Sequence, residues 1–290
     1  NVLREFDTAT KSFVPGGFSL PEGKQVATWV DKDTLLVARD WGPGTMTKSG
    51  YAFIVKELKR GQKLSEAREV FRGTPEDTWT WPFVVRDNRG VVHAKGAMRG
   101  LNFFESEYVL FTPKGPLKLN VPKKSSPGGI IDGRLLLSIR EDWSPAPGLD
   151  FKSGSLISYD LAQWKRDPNK ARPSLVFAPN ARQTLRSVAT TRVALILTIL
   201  DNVRGRAFTY NYAGGRWTSR PVPLPANATI GVTAASDTDN LAMFSVTDYL
   251  TPTTLSLYDA ASGKLDQLKV SPARFEASKH SIEQLEAVSK

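Results

Sequence analysis

Cysteine is absent from the 290-residue chain. Disulfides, thiolate nucleophiles and zinc sites built on thiolates are thereby excluded, and the redox compartment stays open, since a chain without thiols suits either one. Histidine is nearly absent. His93 and His280 are far apart in the sequence, so a centre needing two imidazoles is disfavoured. Long apolar runs are missing too. The longest, Val193 to Leu200, has eight residues, whereas a membrane-spanning helix needs about 20, so no membrane partner is expected. Neither a start methionine nor a signal-peptide pattern opens the chain. Asn1-Val2-Leu3-Arg4-Glu5-Phe6 reads as the middle of a strand, and the expectation is a piece of a longer polypeptide whose compartment, cytoplasmic or periplasmic, is open.

What is present is ordinary globular material. Forty per cent of residues are hydrophobic and 23% charged, too apolar for disorder and long enough for a sizeable core. Lys and Arg outnumber Asp and Glu 39 to 29, a net charge of +10. Such a balance can mark a nucleic-acid binder. Here the basic residues are scattered and their clusters short (Lys123-Lys124, Lys56 to Arg60), so the surface is read as basic and solvated, without a nucleic-acid partner.

Helical periodicity is confined to Lys63–Val70 and Leu161–Arg166. Period-2 apolar runs and turn residues fill the rest, the pattern of an all-β chain with many short strands. The strands recur in sets of four. The most apolar member begins at residues 35, 91, 135, 194 and 241, at steps of 56, 44, 59 and 47. A period near 50 made only of strands predicts propeller blades. Apolar density is greatest in the second strand of each set and thinnest in the fourth, as expected if inner strands are covered on both faces. The reading is a single β-propeller domain over 1–290. Its five complete four-stranded blades lie at about 24–73, 82–122, 128–178, 183–225 and 229–272, with an orphan strand at 2–7 and an exit strand at 281–289. Five blades could close into a small ring, or leave a gap covered by another copy.

Catalytic motifs are scarce. There is no Gly-x-Ser-x-Gly elbow and no His-Glu-x-x-His. Gly128 to Arg134 imitates a phosphate loop without its lysine, and Asp237-x-Asp239 starts a calcium loop that Leu241 interrupts. No catalytic, cofactor-binding or metal-ligating residue is assigned, and no cofactor is expected. A glycosidase would need paired carboxylates about 5–9 Å apart in a central pocket, and inner-strand acids are too few. One pattern stands out. Four blades place an acid at the end of the second strand (Asp40, Asp142, Asp201, Asp248), and an aromatic follows three of them (Trp41, Trp143, Tyr249). Equivalent propeller loops share a rim, so these seven are candidate rim contacts for a cationic or peptide ligand. The competing reading is that each Asp starts the turn after a strand and the aromatics pack between blades.

Several stretches resemble bacterial prolyl oligopeptidases. At the start these are Val2-Leu3-Arg4-Glu5-Phe6-Asp7, Leu20-Pro21-Glu22, Trp29-Val30-Asp31, Asp33 to Val37, Thr47-Lys48-Ser49-Gly50-Tyr51 and Lys59-Arg60-Gly61. Towards the end they are Tyr249-Leu250-Thr251-Pro252, Leu257-Tyr258-Asp259, Phe275-Glu276-Ala277-Ser278 and Glu283 to Lys290. The likeness is strong in 1–73 and 245–290 and loose between. It implies a fragment of a seven-bladed propeller that caps an α/β-hydrolase domain and gates access of short peptides to a serine peptidase cleaving after proline. The chain alone is then expected to be inactive, its partners being that hydrolase domain and short peptides. The alternative expectation is a stand-alone propeller scaffold for protein–protein interaction.

Overall fold

The computed structural model describes residues 1–288. Five four-stranded antiparallel sheets with their connections span most of them, each with its strands in chain order from one edge to the other. The first sheet comprises Gln25–Asp31, Thr34–Arg39, Ile54–Lys59 and Arg68–Arg72, and the second Trp79–Arg86, Val92–Gly100, Ser106–Thr112 and Gly115–Lys118. The third is built from Ser125–Ile131, Arg134–Ile139, Leu156–Asp160 and Ser174–Phe177. Gln183–Thr190, Leu195–Asp201, Arg204–Ala213 and Arg216–Pro221 form the fourth, and Thr229–Ala235, Leu241–Thr247, Thr254–Asp259 and Leu265–Val270 the fifth. This is a β-propeller architecture. Two compact units divide the chain. One holds residues 1–125 with 145–148 and 163–171; the other holds 126–144, 149–162 and 172 onward.

In the first unit the core lies on both sides of the first sheet. Leu36 and Ala38 pack with Val55, Phe71, Ala97 and Val109 towards the second sheet, and Phe71 stacks on Phe111 at 5.9 Å. Leu35 and Val37 point the other way, into a cluster with Phe18, Leu20 and Leu58. The second unit repeats the arrangement. Leu195 and Leu197 join Ile131, Leu136 and Leu156 of the third sheet, while Ile196 faces Ile230, Ala242 and Phe244 of the fifth. Alternation along a strand sends neighbouring side chains to opposite faces, and here both faces are apolar. That is why Leu-Leu-Val-Ala and Leu-Ile-Leu read as unbroken apolar runs.

Four first-to-second strand pairs carry bulges, as do three third-to-fourth pairs. One extra residue interrupts the register at Val30, Arg186 and Thr233 in the first strands of their sheets. In the second sheet the extra residue is His93, on the second strand. Each bulge adds local twist and re-aims the strand beyond it.

Two expectations from sequence need correction. The run at 2–7 is no single orphan strand. Leu3–Arg4 pairs with Ser19–Leu20 and Phe6–Asp7 with Ser12–Phe13. The break falls at Glu5, whose carboxylate is drawn aside by Arg60 (2.8 and 3.0 Å) and by the Phe18 amide (2.8 Å). Residues 281–288 form no strand, and Ser289 of the expected exit strand lies outside the described residues. A strand needs a partner edge, and this segment is held by side chains instead. Of the two helix-like stretches, Leu161–Arg166 is a short helix, while the other contributes only a 3-10 turn at Leu64–Glu66.

Phe244 is fully buried between the fourth and fifth sheets. Replacing it with alanine is expected to cost about 3–5 kcal/mol in urea unfolding, whereas Tyr249→Ala, at an exposed turn, should stay within about 0.5 kcal/mol.

Candidate functional site

Each rim candidate sits where a second strand gives way to a turn, and most are engaged locally. Asp40 Oδ1 accepts the Gly42 amide (2.9 Å) and the Thr45 hydroxyl (3.3 Å). The Trp41 indole N–H donates to the Ile54 carbonyl (3.1 Å), and its ring packs against the Leu35–Val37 cluster with Lys56 Nζ above it at 4.5 Å. Asp142 accepts Lys152 Nζ (2.6 Å) and the Ser153 amide (2.9 Å); the ammonium and then the amide hold its carboxyl below the usual range. Trp143 stacks on Phe151 at 6.2 Å. Asp201 closes its strand opposite Gln183 and Arg204. Asp248 Oδ1 accepts the amides of Leu250 (2.8 Å) and Thr251 (2.5 Å). Against the upward pull of burial, these bonds keep its carboxyl below the usual range.

Of the three aromatics, only Tyr249 projects into solvent, at 86% exposure. Beside it runs a groove of about 520 Å³ lined by Val203, Arg204, Thr247, Asp248, Tyr249 and the segment around Gln284. The structure therefore brings Asp248 and Tyr249 to one depression, with the exposed turn after Asp201 at its other wall. That turn, Asn202-Val203, holds both residues at positive φ (48° and 62°). A two-residue hairpin demands this conformation, because only such turns match the twist of the strands. Asn tolerates it; a β-branched valine does not, and the strain is of order 1–3 kcal/mol. The segment after the last strand lies along the groove. Arg204 Nε donates to Gln284 Oε1 (2.8 Å), and Gln284 Nε2 donates to the Asn202 carbonyl (3.0 Å). Glu286 accepts from Arg182 (2.9 Å) and from Asn202 Nδ2 (2.7 Å). The groove lining mixes apolar side chains such as Val203 and Leu285 with polar ones such as Arg204, Asn227 and Thr229. Among the described residues, the groove presents no activated nucleophile.

His93 sits at the bulge of the second sheet. Its Nε2 is 3.0 Å from Asp87 Oδ2, both side chains are 7% exposed, and Nδ1 is buried without a partner among the described residues. Burial would raise the Asp87 carboxyl, but hydrogen bonds from His93 and from the Val91 and Arg89 amides outweigh it and bring it to about 2. The ring of the other histidine, His280, lies edge-on to Phe275 at 5.8 Å. No group of three His, Asp or Glu side chains among the described residues is placed to hold a metal.

Reading only acids at strand ends passes over the second sheet, whose corresponding turn is Leu101–Glu105. There Phe103 is 90% and Phe104 76% exposed. Two adjacent phenylalanines between a glycine and a serine were the available signal.

Residues 140–271 match the family described as prolyl oligopeptidase, N-terminal beta-propeller domain. Over that stretch the chain is similar to that family's propellers. An uncharacterized peptidase of Sinorhizobium fredii is 38% identical to it over 296 residues, across all of this chain and 40% of the relative. An uncharacterized peptidase of Rickettsia prowazekii is 24% identical, over 99% of this chain and 41% of the relative. The chain thus spans about two fifths of the curated relatives it matches. Among solved structures, a post-proline cleaving enzyme from Rickettsia typhi superposes with a TM-score of 0.83 at 21% identity, over 96% of this chain and 42% of that one. Oligopeptidase B from Trypanosoma brucei does so at 0.61 and 14%, over 90% and 36%. These two likenesses are of fold.

Two outcomes follow for the site. Val203→Gly is expected to raise stability by about 1 kcal/mol in urea unfolding, because glycine relieves the left-handed strain; unchanged stability would show that the turn is unstrained. Asp87 has a folded-state carboxyl at about 2 against an ordinary 3.8, so its contribution is present above about pH 4 and is lost as pH falls towards 2. Asp87→Asn should flatten that part of the stability curve, measured by denaturant midpoints across the acid range.

Proposed function

We propose that this chain is the non-catalytic, substrate-gating propeller of a longer serine peptidase that hydrolyses short peptides after proline, paired with an α/β-hydrolase domain. The carrying observation is its extent. A propeller of the prolyl oligopeptidase type covers only 40% of a relative named as a peptidase with which it shares 38% identity. The residues of this chain agree with a supporting part. His93 is bonded to Asp87 inside a sheet, the four rim carboxylates lie at the ends of strands, and three of them cap or brace their turns. The relatives give no support to a stand-alone interaction scaffold.

In this reading the Tyr249 groove touches the peptide on its way to the serine. The 290-residue chain should leave a Gly-Pro reporter uncleaved, and the longer polypeptide should release it. Turnover by the chain alone, or none by the longer protein, overturns the reading. Tyr249→Ala in the longer polypeptide is expected to raise KM severalfold with kcat little changed. Asp40→Asn, which alters only a turn cap, should leave both constants near those of the parent.

A further inference from the structure

After its last strand the chain returns to the fourth sheet, where a rigid base meets it. The Asn202 amide donates to the Arg182 carbonyl (2.9 Å), which fixes these two residues side by side at the end of the Gln183–Asp201 pairing. From that base Arg182 Nη1 reaches both oxygens of Glu286 (2.9 and 3.1 Å), and Asn202 Nδ2 donates to the same carboxylate (2.7 Å). Two residues earlier, the Gln284 side-chain amide bridges Arg204 Nε (2.8 Å) and the Asn202 carbonyl (3.0 Å). The left-handed turn at Asn202-Val203 (φ 48° and 62°) thereby offers the carbonyl and the side chain of one residue to the same returning segment.

The returning segment is held in a different way from a strand. Ile282, Gln284 and Glu286 occupy alternate positions, as along one side of an extended chain. Ile282 and Gln284 are half-buried, while Glu283 and Leu285 between them are exposed. Residues 281–288 form no strand, so no sheet ladder reinforces the side-chain bonds. The ion pair stands in water, with Arg182 63% and Glu286 55% exposed, and such a pair contributes little and is screened by salt. The same segment, from Ile282 to Leu285, forms one wall of the groove of about 520 Å³ beside Tyr249, together with Arg204, Thr229 and Asp248. All of these residues lie in one compact unit. One wall of the groove is therefore weakly held and the others belong to paired strands and their turns, so the wall leaves at small cost while the rest keeps its shape.

We propose that Ile282–Glu286 is a charge-latched strap whose release opens the groove beside Tyr249 to a peptide. The proposal rests on the preceding reading only in the nature of that ligand. The chain has no cysteine, so two introduced ones carry nitroxide labels alone. Leu285→Cys marks the strap, and Thr218→Cys, exposed on the last strand of the fourth sheet, marks the base. Pulsed dipolar spectroscopy of the labelled 290-residue chain is expected to give a narrow distance distribution at about 0.1 M salt and an added broad component at about 1 M, where charges are screened within about 3 Å. Arg182→Gln should raise the broad fraction about threefold at the lower salt and leave the urea midpoint in place. A Gly-Pro peptide should also raise it, because a ligand of the open state draws the population there, and should bind Arg182→Gln about threefold more tightly. A distribution indifferent to salt and to Arg182→Gln overturns the latch, as does one already broad in the parent at low salt. A broad fraction that the peptide leaves unchanged overturns the opening of the groove. None of these readouts needs turnover. A strap that stays shut in a protein whose longer form cleaves after proline overturns the strap alone, and a strap that opens in one whose longer form does not cleave overturns the peptidase reading alone.

Discussion

Leu36 and Leu35 are neighbours in the chain, face opposite sides of one sheet, and are both almost without solvent contact. Ile196 and Leu197 do the same in the fourth sheet. A strand with two buried faces cannot be stabilised by its own sheet, since alternation gives each sheet only one side chain in two for any given neighbour. Apolar cover must come from bodies on both sides. At roughly 25 cal/mol per Å² of apolar surface removed from water, this double cover is the largest favourable term available to such small sheets. The other features follow from it. Turns have to be short and polar where they only reconnect strands, and charges have to be paired where they reach inward. Asp77 with Arg99, and Glu57 with Lys95 and Arg68, are examples.

That constraint is also what made the architecture readable. Runs such as Leu135-Leu136-Leu137 carry no hydrophilic alternation, so they mark second strands wherever they recur, and the interval between them measures a sheet. What escaped was set by partners instead of pattern. Val2 to Asp7 has the composition of one strand, but its two halves pair with different segments, Ser19–Leu20 and Ser12–Phe13. Glu283 to Val288 has strand-like alternation, but a ladder also requires a free edge, and Arg182, Asn202 and Arg204 meet it with side chains.

The site divides along the same line. Asp at the end of a strand is equally the sequence of a turn cap and of a ligand contact, because one carboxylate geometry serves both. Asp40, Asp142 and Asp248 spend their lone pairs on nearby amides, a choice made by loop geometry that sequence does not display. Trp41 and Trp143 are likewise drawn to Ile54 and Phe151. Tyr249 differs in standing 86% exposed, and Phe103 and Phe104 were hidden because no acid ends the strand before their turn.

The bulges at Val30, Arg186 and Thr233 divide the sequence into two kinds of territory. A first strand with one inserted residue has an exact count: adding or losing another would rotate every later side chain to the wrong face. The connections between second and third strands have no such arithmetic, and they already range from two residues at Asn202-Val203 to sixteen between Ile139 and Leu156. Evolution of this scaffold is thereby channelled. Length variation should collect in the connections between second and third strands, while the strands nearest the start of each sheet change letters without changing number.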